Sequence, residues 1–246
     1  MFHFISRISL VCALLMTSVA WAASPAETIR QAFHKSRPDI QVENVKPSEV
    51  PGLYEVSLKE GPTVYATENG KHFLTGDLFE LAPGGFVNIA ERGREQMRKD
   101  RMAKVKLKDM IVFPAEGDFK GALYVFTDVD CGYCRKLHNE VPKLNKMGIE
   151  VRYLAYPRDF PRGAQSRTAP KMVSAWCAKD SQEALTKLKN GQNIATATCD
   201  NPIAEQYLLG GEMGVTGTPA IITTRGELVP GYMPAESLVR VATQGK

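Results

Sequence analysis

The sequence predicts a chain of two domains: a small α+β N-terminal domain, a helical linker, and an α/β C-terminal domain with a helical insertion. Three observations carry this prediction. Asn69-Gly70, a strong signal for a tight hairpin turn, stands between short alternating apolar segments. Residues 88–109 hold eight lysines and arginines against four acids, with sparse apolar positions, which reads as a solvated helix. Residues 121–155 contain two apolar runs separated by a helical pattern, the mark of a βαβ unit with parallel strands and a right-handed crossover.

Residues 1–22 carry one early cation, Arg7, then an apolar run over residues 8–19 broken only by Ser and Thr, then Ala20-Trp21-Ala22. That order is expected of a secretory signal peptide cleaved after Ala22. The run is short for a bilayer span, and no later run is long and apolar enough to cross one. Cleavage takes Cys12 from the five cysteines and leaves Cys131, Cys134, Cys177 and Cys199; it also lowers the net charge of +4 by one. The expectation is a soluble protein in an oxidising, extracytoplasmic space. With 43% hydrophobic and 24% charged residues the composition is globular, and so small a net charge gives no reason to propose nucleic acid as partner.

The first domain, residues 23–87, opens with a helical pattern over residues 26–34 (Ile29, Ala32, Phe33) that Pro38 stops. Alternating segments at 53–58 and 63–67, and 72–74 beyond the Asn-Gly turn, predict antiparallel strands. At roughly 64 residues a single core is marginal without disulfides, metal or a partner chain. The segment has no cysteine, so a homodimer paired through exposed strand edges is expected. Residues 88–109 form the linker helix; its interspersed acids and lack of aromatics argue against an anion-binding patch.

The second domain, residues 110–246, begins with the βαβ unit. Helical patterns follow at 169–178 and 181–189, then an apolar strand at 219–223, a turn at Arg225-Gly226-Glu227, a short strand at 228–229 and a helix at 234–242. Cys131-Gly132-Tyr133-Cys134 falls where the first strand gives way to the helix. Cys131 there faces unpaired backbone N–H groups and the positive end of the helix dipole, which stabilise a thiolate and make it the candidate nucleophile. Cys134, one turn inside, is the candidate resolving thiol, and Arg135 and Lys136 are candidate sources of positive potential. A c-type haem site would need histidine where Arg135 stands. Four-cysteine zinc binding would more often bring a second closely spaced pair, and a purely structural 131–134 bridge is a further alternative. Cys177 and Cys199 read as a structural bridge closing a loop of about 22 residues, worth on the order of 3 kcal/mol, with Trp176 beside it as core packing. Gly217-Thr218-Pro219-Ala220 opens a strand with a residue that cannot donate to the ladder, a place where a bound peptide backbone can pair. His34, His72 and His138 read as surface or packing residues, and Asp128 and Asp130 as solvated loop carboxylates outside the catalytic set. No metal or diffusible cofactor is called for.

These features together, with Phe126-Thr127-Asp128, residues 151–155, residues 175–180 and Leu228-Val229-Pro230-Gly231-Tyr232, resemble the DsbC/DsbG family of periplasmic disulfide isomerases over essentially the whole chain. The resemblance implies a thioredoxin-like C-terminal domain and a V-shaped homodimer formed by the N-terminal domains around a shared apolar cleft. It further implies a cis Thr218-Pro219 bond, a Cys177–Cys199 bridge, and a membrane thiol reductase similar to DsbD that keeps Cys131 and Cys134 reduced. Gly132 follows the DsbC branch, since the DsbG branch usually has proline there. The implied activity is rearrangement of non-native disulfides in misfolded secreted proteins, with Gly132, Tyr133, Thr218 and Pro219 contacting substrate. A net thiol oxidase or reductase, and a chaperone whose cysteines are only structural, are the competing readings.

Overall fold

The computed structural model describes residues 24–59 and 61–244, so the signal segment lies outside the described residues. The chain divides into two compact units, Met1–Gly76 and Asp77–Lys246.

In the first unit, helix α1 (Pro25–Ser36) starts with Ser24 as cap, its hydroxyl accepting the Glu27 N–H at 3.3 Å, and with proline in its first turn, where a missing N–H costs nothing. Strands β1 (Val42–Pro47), β2 (Leu53–Leu58), β3 (Thr63–Thr67) and β4 (Phe73–Leu74) follow as an antiparallel sheet in chain order. Ile29 of α1 packs on Val56, Val64 and Ala66, a small core. The edge strand β4 leaves Phe73 and Leu74 61% and 48% exposed.

The second unit begins with the hairpin β5 (Phe79–Ala82) and β6 (Gly85–Asn88), followed by helix α2 (Ile89–Met102), capped by the Asn88 side chain accepting the Glu91 N–H at 2.9 Å. The helix falls within the predicted linker at residues 88–109 but ends at Met102, and it is not solvated all round. Arg98 and Met102 are each 3% exposed. The Arg98 guanidinium donates to the Met213 carbonyl at 2.9 Å, the Gly226 carbonyl at 3.2 Å and Glu91 at 2.6 Å. A buried cation is tolerated when its donors are matched, and here two acceptors come from the far end of the chain, beyond the reach of a charge pattern. Gly226 completes the contact: its φ is +95° and a Cβ there would collide with the Glu95 carbonyl.

Five strands form the main sheet: β7 (Ile111–Phe113), β8 (Gly121–Thr127), β9 (Ile149–Ala155), β10 (Ala220–Thr223) and β11 (Leu228–Pro230), in the order β11-β10-β8-β9-β7. Only β8 and β9 are parallel, as the βαβ reading requires; the other pairs are antiparallel. The period of two along β8 sends Leu123 and Val125 to one face, against Leu137 and Val141 of α3 (Gly132–Lys146) and Leu238 of a later helix. Phe126 goes to the other face, with Met102 and Met213. Helices α4 (Ala169–Trp176) and α5 (Ser181–Lys189) match the expected insert, and α7 (Ala235–Thr243) the closing helix. Helix α6 (Ile203–Glu212) was not foreseen, because Gly210-Gly211 argues against a helix. Gly210 is there for close approach: a Cβ would lie 2.6 Å from the Tyr156 ring.

Candidate active site

Central strand β8 delivers the chain to its C-terminal edge, and a three-residue loop leads into α3 with Cys131 in the cap position, φ −88° and ψ 121°. The loop is held by Asp128. This carboxylate is 1% exposed, accepting the Asp130 N–H at 2.7 Å and, from Arg158, the backbone N–H at 2.9 Å and Nε at 3.0 Å. The expectation of a solvated Asp128 is thereby corrected: three donors, two from the backbone and one from a guanidinium, make its burial tolerable. Asp130 is partly exposed and bound by Lys171 at 2.9 Å and Thr168 at 3.1 Å.

Cys131 and Cys134 are free thiols, 3% and 0% exposed, while Gly132 and Tyr133 between them are exposed, Tyr133 at 65%. The fold brings Thr218 to the pair: the Cys131 sulfur lies 3.2 Å from the Thr218 carbonyl oxygen, and the Thr218-Pro219 peptide is cis. The Pro219 carbonyl is taken by the Gly231 N–H at 2.8 Å. A groove of about 160 Å³ adjoins, lined by Val215, Thr216, Thr218, Pro219, Leu228 and Pro230. The Thr218 hydroxyl is buried and acts on both cysteine sulfurs.

The two thiols are driven apart. Cys131 is brought down to about 5, chiefly by the Cys134 thiol donating to it; burial opposes this, and the Thr218 hydroxyl, the Cys134 backbone N–H and the Arg158 guanidinium add to it. Cys134 is pushed far up by burial and by the hydrogen bond it gives to Cys131. At neutral pH one sulfur is an anion and its neighbour holds the proton.

The cation beside Cys131 is not the expected one. Arg135 donates to the Val129 carbonyl at 3.1 Å and Lys136 sits over the Tyr232 ring at 4.3 Å, whereas Arg158 acts on the sulfur. A topological signal was available, because parallel β8 and β9, with Thr127 opposite Ala155, emerge on one edge. Lys189 was also missed. It ends a helix, where a lysine ordinarily faces water, but is 3% exposed and donates to Thr127 Oγ1 at 2.5 Å and the Asp128 carbonyl at 2.9 Å. His138 is buried between the Tyr153 hydroxyl and Thr186 Oγ1, 3.0 Å from each, and is held down to about 4 by burial and then by the Lys189 charge; it packs, as expected. His34 and His72 are exposed. Cys177 and Cys199 form a disulfide with Cα atoms 5.6 Å apart, tying the end of α4 to the segment before α6. Trp176 beside it packs on the core and donates to the Asp109 carbonyl at 3.1 Å.

Two family models match the chain: a thioredoxin-like domain over residues 108–246 and a disulfide bond isomerase protein N-terminal domain over residues 20–91. The thiol:disulfide interchange protein DsbC of Escherichia coli K12 is 36% identical over 225 residues, 92% of this chain and 90% of that one. The protein of the same name from Salmonella typhimurium is 38% identical over 220 residues, 89% and 87% of the two chains. Among solved structures, a linker-deleted variant of ScsC from Proteus mirabilis superposes with a TM-score of 0.50 at 16% identity, covering 63% of this chain and 85% of that one, a likeness of fold.

Proposed function

The chain belongs to the DsbC family of thiol:disulfide interchange proteins, and from that premise we propose that it is a periplasmic protein disulfide isomerase with Cys131 as nucleophile. The observation that carries the assignment of roles is the opposite displacement of the two thiols, anionic at Cys131 and protonated at Cys134. The Cys131 thiolate attacks a non-native disulfide in a misfolded secreted protein and forms a mixed disulfide, releasing one substrate thiolate. That thiolate attacks elsewhere in the substrate until Cys131 is displaced, with no net change of oxidation state. If the exchange stalls, Cys134 attacks Cys131 and the substrate leaves reduced.

Thr218 and Pro219, beside the groove, and exposed Gly132 and Tyr133 receive the substrate backbone, and Cys177–Cys199 remains a structural bridge. Residues 1–22 serve as the signal peptide, residues 23–87 as the dimerisation domain, residues 88–109 as the linker and residues 110–246 as the catalytic domain. The small core of the first unit and its exposed Phe73 and Leu74 support a homodimer. A membrane thiol reductase similar to DsbD keeps the pair reduced, and no diffusible cofactor is required.

The test is reactivation of a scrambled multi-disulfide protein in a glutathione buffer. Recovery is expected to vanish in Cys131→Ala and to survive in part in Cys134→Ala. Recovery indifferent to Cys131 would leave a binding protein that does not use its thiols.

A further inference from the structure

Lys189 closes α5 with its side chain turned into the protein, 3% exposed, and the hydrogen bonds it gives go to neutral oxygens, Thr127 Oγ1 at 2.5 Å and the Asp128 carbonyl at 2.9 Å. Its Nζ also lies 5.9 Å from the centre of the Tyr153 ring. A buried ammonium without an anionic partner is costly, and an alkyl side chain would occupy the same space without that cost. Among the described residues the ammonium donates to no carboxylate, and the anionic groups that act on it are Cys134 first, then Asp128 and Cys131.

The surrounding groups narrow the choice. From the loop before α3 comes Asp128, whose oxygens already accept the Asp130 N–H and both Arg158 donors. From α3 and its cap come Cys131, Cys134, Arg135 and His138, and from β9 comes Tyr153. His138 is held down to about 4 and Tyr153 is pushed well up, so both are neutral at pH 7. Only the two sulfurs change charge during thiol exchange; Lys189 is coupled to both, to Cys134 more than to Cys131, while Arg158 is the cation that lowers Cys131. Lys189 is itself brought down to about 8 by burial, which leaves it mostly cationic at neutral pH.

We propose that Lys189 is a positioning residue for the release step, its buried ammonium stabilising the Cys134 thiolate as that sulfur attacks the disulfide between Cys131 and substrate. The inference rests on the roles assigned above to Cys131 and Cys134. In the step, Cys134 loses its proton to solvent and bonds to Cys131; the Cys131–substrate bond breaks and the substrate sulfur leaves with the electron pair as thiolate, then takes a proton from solvent. The two enzyme sulfurs are oxidised to a disulfide and the substrate disulfide is thereby reduced to thiols. Isomerisation needs Cys131 alone, so Lys189 sets how readily a stalled substrate is let go.

A symmetric fluorogenic disulfide peptide under single-turnover conditions separates the steps: the first fluorescent thiol reports attack by Cys131, and the second reports release by Cys134. In Lys189→Met the second phase is expected to slow at least tenfold at pH 7.5 while the first changes by less than twofold. In a Cys134→Ala background the same substitution is expected to leave the attack phase unchanged. A second phase within twofold of wild type overturns the proposal. So does an equal loss of the attack phase in both backgrounds, which assigns Lys189 to packing alone. Should Lys189→Met fail to fold, Lys189→Gln retains donors for Thr127 and Asp128 without the charge and is judged by the same two phases. Absence of a first phase in the wild type would overturn the reading of Cys131 itself, and this inference with it.

Discussion

At Cys131 the anion is favoured by short-range contacts: a thiol, a backbone N–H, a hydroxyl and one guanidinium. The rate of alkylation by iodoacetamide is therefore expected to rise around pH 5 rather than near the ordinary thiol value of 9.0. Arg158 is half-exposed, 49% by its side chain, so water screens it. Arg158→Gln is expected to slow alkylation at pH 5 only about two- to threefold by moving the inflection upward. The same displacement couples protonation to folding. Between about 5 and 9.0 the unfolded Cys131 holds a proton that the folded one has lost, so the reduced protein gains stability as pH rises through that window and loses this contribution as pH falls through about 5. Urea unfolding of the reduced and oxidised forms at pH 5 and pH 8 should show the reduced form gaining relative to the oxidised. At this scale the two cysteines and Thr218-Pro219 were legible, because their spacing carries chemistry. Arg158, Asp128 and Lys189 were not, since a charged residue in a loop or at a helix end looks the same whether it faces water or a buried acceptor.

Two elements hold the catalytic unit together by different means. Helix α2 is docked by Arg98, buried on carbonyls of Met213 and Gly226, with Glu91 as its anionic partner. Arg98→Met is expected to cost about 2–3 kcal/mol, because two carbonyls and a half-exposed carboxylate lose their donors, and a urea midpoint shift measures it. Gly226→Ala should do comparable damage by driving a methyl group into the Glu95 carbonyl. The insert is held by Cys177–Cys199, whose sequence separation is 22. Replacing both cysteines by alanine is expected to lower stability by about 3 kcal/mol in the loop-entropy account, while reactivation of scrambled substrate at 25 °C persists. Most elements were readable from periodicity. Helix α6 was not, since the glycine that lets it approach Tyr156 also weakens its local helical signal.

For the whole molecule, the first unit has a four-residue buried cluster and an edge strand with two exposed apolar side chains, Phe73 and Leu74. Sedimentation at micromolar concentration is expected to give a dimer. Leu74→Lys is expected to shift it toward monomer and to lower the melting temperature of the first unit by several degrees, as a charge on an edge strand opposes pairing with a second copy. A wild-type monomer at that concentration would remove the explanation of how so small a core is stabilised.

By itself the sequence determined the order of most elements, the strand-to-helix position of the Cys-x-x-Cys pair and the family resemblance, because these depend on local periodicity, turn chemistry and spacing. The tertiary structure alone decided which charges are buried, which cations act on the sulfurs and where the Arg98 donors end. Each of these depends on an acceptor or an ion brought from a distant part of the chain, and burial is a property of the packed molecule that no local pattern contains.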